Sequence, residues 1–252
     1  MTKVCIIGGG NVAYHLAYQF IKSEHVQLIQ LYNRTLCKLN PFENDVSITD
    51  QLNELMEADL YIIASSDSAI REISNQLPFS NRLVVHTSGS QELSCLSGNN
   101  RRGVFYPLQS LSKSKPIDFS EIPICVEAEN EDDLSLLHSI ASSLSSKVYI
   151  ISSEQRKYLH VAAVFVNNFV NHLYYLGQHI CEEKEIPFEI LMPLIKETAN
   201  KINYLSPELA QTGPALRNDM ITIENHLKLL STKDKEIYQL LTSSITNTYK
   251  LK

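Results

Sequence analysis

The chain has 252 residues, 44% of them hydrophobic and 20% charged, with 12 tyrosines, 8 phenylalanines and no tryptophan; this apolar content can close a core and excludes a disordered, collagen-like or low-complexity chain. Its 22 basic and 28 acidic side chains give a net charge of −6. Lys and Arg are scattered apart from the pair Arg101 and Arg102, so no footprint for a nucleic acid or an anionic membrane surface is visible.

Only 8 residues are glycine, and three of these are consecutive at Gly8, Gly9 and Gly10. They follow Val4-Cys5-Ile6-Ile7, a short apolar run of the kind that forms a strand covered on both faces. Met1-Thr2-Lys3 leads straight into that strand, which leaves no room for a secretory signal. The longest apolar run, Val161 to Val166, falls far short of the ~20 residues of a membrane helix. The five cysteines, Cys5, Cys37, Cys95, Cys125 and Cys181, are widely spaced and read as reduced thiols. The expectation is a cytoplasmic protein without membrane or nucleic-acid partners.

Gly8-Gly9-Gly10-Asn11-Val12-Ala13 matches G-x-G-x-x-A between a strand and a helix that runs from Val12 to about Ile21. In this dinucleotide fingerprint Gly8 allows the tight turn, Gly10 lets the backbone approach a pyrophosphate, and Ala13 permits close packing of helix on strand. The anion then lies over the helix N-terminus, opened by Asn11 and Val12. A second strand, Val26 to Tyr32, ends in Asn33-Arg34-Thr35, with no carboxylate for a ribose diol. Arg34 can fork onto a 2′-phosphate, so NADP is favoured and NAD remains possible.

A weak strand near Val46 to Ile48 leads into a helix expected to start at Thr49 or Asp50. Further strands read at Asp59 to Ala64, Arg82 to His86, Gly103 to Tyr106, Ile124 to Val126 and Val148 to Ile151. Strands alternating with helices define an α/β class, a doubly wound, mostly parallel Rossmann-like sheet. In such sheets ligands bind beyond the carboxyl ends of the strands. Ser65 and Ser66, His86 and Ser88, and Gln109 lie at three of those ends.

From Ser152-Ser153-Glu154 onward strand signals cease, and a Ser cap starts a helix. It is expected to run from Gln155 to about Cys181, followed by helices at Pro187 to Tyr204, Pro207 to Gln211, Met220 to Leu230 and Lys233 to Tyr249. The chain therefore divides into a dinucleotide-binding domain, 1–152, and a smaller all-helical substrate and dimerisation domain, 153–252. On the first of these helices Lys157, His160, Asn168 and Asn171 fall on or near one stripe. Either they line a cavity, or the asparagines bind neighbouring backbone and His160 is a satisfied core residue. Gln211-Thr212-Gly213-Pro214-Ala215-Leu216-Arg217 links two helices; Arg217 can clamp an anion, or the segment is a loop in which Asn218 or Asp219 caps the next helix. No metal-ligand spacing occurs.

The segments Ile7 to Ala13, Val85 to Ser90, Val104 to Gln109, Arg156 to His160 with Asn171-His172, and Gln211 to Arg217 together resemble a two-domain family of NADP oxidoreductases. That family has a Rossmann-like domain followed by a helical domain of unknown function. More distantly, the chain is similar to pyrroline-5-carboxylate reductase and the β-hydroxyacid dehydrogenases. The resemblance implies a homodimer through the C-terminal helices. In β-hydroxyacid dehydrogenases a Lys on the first interdomain helix is followed four residues later by Asn; here Lys157 is followed by Val161.

The expected activity is an NADP-dependent oxidoreductase moving hydride between nicotinamide and a small carbonyl or imine substrate bound between the domains. Gly8, Gly10, Asn11, Val12, Ala13, Asn33, Arg34, Thr35, Ser65, Ser66, His86 and Ser88 are assigned to the cofactor. His160 or Lys157 donates the proton with Asn168 orienting, and Gln109, Asn171, Thr212 and Arg217 contact the substrate. The alternative is a noncatalytic NADP(H)-binding sensor or assembly protein.

Overall fold

The computed structural model describes residues 1–250. They form two compact units, Met1–Phe165 and the chain from Val166 onward.

The first unit is built on one eight-stranded sheet: β1 (Thr2–Ile7), β2 (Val26–Tyr32), β3 (Ser47–Thr49), β4 (Leu60–Ile63), β5 (Leu83–His86), β6 (Arg101–Pro107), β7 (Ile124–Ala128) and β8 (Val148–Ile150). Their order is β3-β2-β1-β4-β5-β6-β7-β8, with every neighbouring pair parallel except β6 and β7. The expected doubly wound, mostly parallel sheet is therefore present.

Burial explains why the central strands read as unbroken apolar runs. Val4, Ile6, Leu60, Ile62, Leu83 and Val85 join one core cluster, and Cys5, Ile7, Tyr61, Ile63 and Val84 join the other. Successive side chains point to opposite faces, so a strand covered on both sides needs an apolar residue at every position. Helix α1 (Asn11–Ile21) contributes Ala13, Leu16, Ala17 and Phe20 to the first cluster, while α2 (Asp67–Asn75) contributes Ile70 to the second. The chain winds outward from β1 in one direction to β3 and in the other to β8. The reversal at β1 and β4 opens a crevice at their carboxyl ends.

Two segments differ from the sequence expectation. In place of a helix at Thr49 or Asp50 there is a single 3-10 turn, Leu52–Glu54. The buried Gln30 side chain takes the backbone groups that a helix would use: its Nε2 donates to the Glu54 carbonyl at 3.1 Å and its Oε1 accepts from the Met56 N–H at 2.7 Å. Between β7 and β8 lies α3 (Glu131–Leu144), which strand signals alone do not mark; Asn130 caps it by accepting from the Asp133 N–H.

Helix α4 (Ser153–Ala163) opens with a capping box, in which the Ser152 hydroxyl accepts from the Gln155 N–H and the Gln155 side chain accepts from the Ser152 N–H. A π-helical segment, Val164–Phe169, follows, and then α5 (Val170–Glu182). The compact units divide inside that π segment, because the first turns of α4 are fastened to the sheet unit. The second unit continues with α6 (Met192–Lys201), α7 (Pro207–Ala210), α8 (Met220–Leu229) and α9 (Thr232–Lys250), and among the described residues it holds no strand. No helix is long and apolar enough to cross a membrane among the described residues. All five cysteines are free.

Candidate active site

The glycine turn follows β1 directly. Gly8 has φ +148° and donates its N–H to the Tyr32 carbonyl at 2.7 Å. A Cβ there would lie 2.1 Å from the Ala64 carbonyl oxygen, so only glycine brings the turn this close to β4. Gly10 precedes α1, and a Cβ on it would meet no protein atom within 4 Å. The first turn of α1 carries no acidic side chain, leaving its free N–H groups and dipole to an anion. Ala13 is buried against the sheet.

This turn forms one wall of a cavity of about 730 Å³. Of the residues assigned to cofactor or chemistry, Gly8, Gly10, Asn11, Val12, Asn33, Arg34, Ser65, Ser66, Ser88, Gln109 and His160 line it. Ala13 packs beneath the wall, and Thr35 contributes its carbonyl to the Asn33 Nδ2 at 2.8 Å. Thr87, Gly89, Tyr106 and Lys38 also line the cavity; the first three lie in strand-end segments that the sequence marks without giving them individual roles, and Lys38 is not singled out there. Ser65 Oγ is buried with no hydrogen-bond partner among the described residues. An orphaned hydroxyl on the wall, an open space over Gly10 and an unpaired Arg34 fit a bound dinucleotide phosphate.

His86 does not line the cavity. It is fully buried, and its Nδ1 accepts the Ser88 N–H at 3.1 Å, which places the ring proton on Nε2. Burial, reinforced by the nearby Arg156 charge, pushes its pKa down to about 4. His86 is thus a neutral strut of the loop after β5, and Thr87, Ser88 and Gly89 are what that loop presents to the cavity.

Tyr106, at the end of β6, and His160, on α4, make another part of the lining. The Tyr106 hydroxyl and His160 Nδ1 are hydrogen-bonded at 3.3 Å, with ring centroids 6.4 Å apart. Burial raises the Tyr106 pKa, so the phenol stays protonated at neutral pH. Gly89 backs the pair. A Cβ on it would come within 2.6 Å of His160 Nδ1 and 2.8 Å of the Tyr106 hydroxyl oxygen.

Arg156, one turn before His160 and fully buried, fixes this wall. Its Nε donates to the Ser88 carbonyl at 3.1 Å, Nη1 to Glu127 Oε2 at 2.5 Å, and Nη2 to the Gln91 carbonyl and to Ser153 Oγ at 3.1 Å. One guanidinium thereby ties α4 to β7 and to the loop after β5. A buried charge is tolerable only with its hydrogen bonds satisfied in this way. Lys157, the other candidate acid, does not line the cavity; its amine pairs with Glu92.

The remaining assigned residues belong to the second unit. Asn168 lies in the π segment, a type of irregularity frequent at functional sites, and Asn171 is on α5. Thr212 accepts at its carbonyl from the Gln211 side chain, and Arg217 is exposed. Asp219 caps α8 by accepting from the Thr222 N–H at 3.1 Å. No cluster of His, Cys, Asp and Glu suited to a metal ion occurs among the described residues.

A nucleotide cradle at the switch point of a doubly wound sheet, with a protonated phenol and an imidazole in the same cavity, defines the class of Rossmann-fold oxidoreductases. Comparison with known proteins places the chain within that class. Residues 3–89 match the family described as NADP oxidoreductase, coenzyme F420-dependent, and residues 122–245 match a domain of unknown function, DUF2520. A putative NADP oxidoreductase from Bacteroides fragilis is 39% identical, with a TM-score of 0.89 over 98% of each chain. The chain belongs to this family of two-domain NADP oxidoreductases, and it is an oxidoreductase that uses NADP. A protein from Thermotoga maritima (20% identity, TM-score 0.74, 98% of each chain) shares the fold. So does a reductive aminase from Aspergillus terreus in complex with NADPH and ethyl levulinate (16% identity, TM-score 0.75, 99% of this chain and 94% of the other). No curated protein matches the chain.

Proposed function

We propose that the enzyme reduces a small carbonyl or imine compound, with the Tyr106–His160 pair managing the proton. The observation that carries this reading is the hydrogen bond between these side chains in the lining of the cavity that also holds the glycine turn. NADPH, when bound, supplies the hydride to the substrate carbon. As the C=O or C=N electron pair moves onto oxygen or nitrogen, the Tyr106 hydroxyl gives up its proton to that atom. His160, hydrogen-bonded to that hydroxyl, then passes a proton back to the phenol. Gly8, Gly10, Asn11 and Val12 hold the pyrophosphate, Asn33 and Arg34 the adenosine phosphate, and Ser65, Ser66 and Ser88 the nicotinamide ribose. Asn168, Asn171, Thr212 and Arg217 are the second unit's groups for the substrate.

The assembly is proposed to be a homodimer through the helical unit. That unit exposes Val166, Leu194, Leu209, Ile221, Leu229 and Leu240, each by 63% or more, an apolar excess beyond the scattered exposure of a monomer. Light scattering that returns a monomer mass at micromolar concentration rejects this.

Screening aldehydes, ketones, keto acids with amines, and preformed imines for NADPH consumption tests the activity. Tyr106→Phe and His160→Asn should each lower kcat about 100-fold while leaving NADPH affinity within twofold. Tight NADPH binding with no turnover of any carbonyl or imine would instead identify a noncatalytic sensor.

A further inference from the structure

The loop after β6 crosses back over the glycine turn. Asn11 Nδ2 donates to the Leu111 carbonyl at 2.8 Å, His15 Nε2 donates to the Ser112 carbonyl at 2.9 Å, and Lys113 Nζ donates to the Gly9 carbonyl at 2.9 Å. The Lys113 amine also stands 5.4 Å from the centre of the Tyr14 ring. Lys113 and Lys38 line one narrow crevice with Gly8, Gly9 and Tyr14, and Lys38 in addition lines the large cavity beside Asn33 and Arg34. The Asn33 side chain lies against Gly9, where a Cβ would meet it at 2.9 Å. Gly9 and Lys38 line both spaces, with Lys113 in the crevice and Arg34 in the cavity.

Their charge is uncompensated. None of the ion pairs among the described residues involves Arg34, Lys38 or Lys113. No carboxylate lines the crevice, and the two that line the cavity, Asp67 and Glu72, both belong to α2. Cations on a lining with no ion-pair partner among the described residues favour a bound anion.

We infer that Lys113, from a loop remote in sequence from the nucleotide motif, is a specificity-determining residue for the 2′-phosphate of NADP and acts together with Arg34 and Lys38. One of its ammonium hydrogens is used on Gly9, leaving others for phosphate oxygens.

The test is equilibrium binding of NADPH, NADH and 2′,5′-adenosine diphosphate to the wild type, Lys113→Met and Lys113→Arg. The loop keeps its Asn11 and His15 anchors in both variants. Lys113→Met should weaken NADPH and 2′,5′-adenosine diphosphate about tenfold and NADH less than twofold, and Lys113→Arg should restore most of the loss. An equal loss for NADPH and NADH, which would indicate a pyrophosphate or strap role, overturns the inference, as does no loss at all. All arms are binding measurements, so a failed substrate screen leaves the outcome intact.

Discussion

The two ends of the cavity are built from different materials. At the nucleotide end the pyrophosphate groups are backbone, the Gly8 turn and the open N–H groups of α1, with the Asn33 and Arg34 side chains beside them. At the proposed catalytic end they are side chains gathered from afar: Tyr106 from β6, His160 from α4, and Gly89 left bare between them. A backbone site is fixed as soon as its strand and helix form, and it depends on side chains chiefly where a Cβ would intrude. A side-chain site needs a brace, and Arg156 is that brace.

The brace gives the largest expected effect. Arg156→Met leaves Glu127 charged and half-enclosed without its partner, and should cost about 3–5 kcal/mol in urea unfolding. Arg156→Met/Glu127→Leu should recover part of that loss, whereas a double variant no more stable than the single one would show that the hydrogen bonds to Ser88 and Gln91 dominate. At the other end, Gly8→Ala forces a Cβ into the Ala64 carbonyl and should weaken NADPH binding about 100-fold or more. Retained affinity would mean that β1 and β4 can part, and that the nucleotide end is less rigid than its geometry states.

A pH titration probes the catalytic end without touching the cofactor. His86 has its pKa pushed down to about 4 in the folded protein, against about 6.5 unfolded. The unfolded chain therefore binds the extra proton between those values. Stability from the neutral ring is complete well above pH 6.5 and is lost as pH falls toward 4, by about 2–3 kcal/mol at pH 4.5. His86→Asn should flatten that segment of the curve, and an unchanged slope would assign it to other groups. The smallest effect is expected at Gly89→Ala, where the methyl wedges Tyr106 from His160. kcat on an identified substrate should fall about tenfold with NADPH affinity unchanged, and an affinity loss instead would place Gly89 with the nucleotide end.

The same contrast governs what the sequence discloses. The sheet and the glycine turn are readable because each rests on contiguous residues: an unbroken apolar strand, then G-x-G-x-x-A. Arg34 is readable from the missing carboxylate after β2. Tyr106 is not, since an aromatic at the end of a buried strand resembles core until a distant imidazole is placed beside it. His86 looks like a ligand from its strand-end position, and only the Ser88 N–H directed at its Nδ1 shows it to be a strut. The helix expected near Thr49 fails for a similar reason: Gln30, about twenty residues earlier, claims the backbone that the local pattern assigned to a helical turn. Each misreading is a long-range polar contact overriding a local signal.

The segment from Tyr106 to Lys113 touches both ends, with a phenol and Gln109 on the cavity and three anchors on the glycine turn and α1. For a protein engineer these eight residues form a single cassette. Grafting them from a relative would exchange the proposed reactive wall and the proposed nucleotide clasp together, so variants selected for a new substrate through this loop should drift in their choice between NADPH and NADH without any change in the glycine fingerprint.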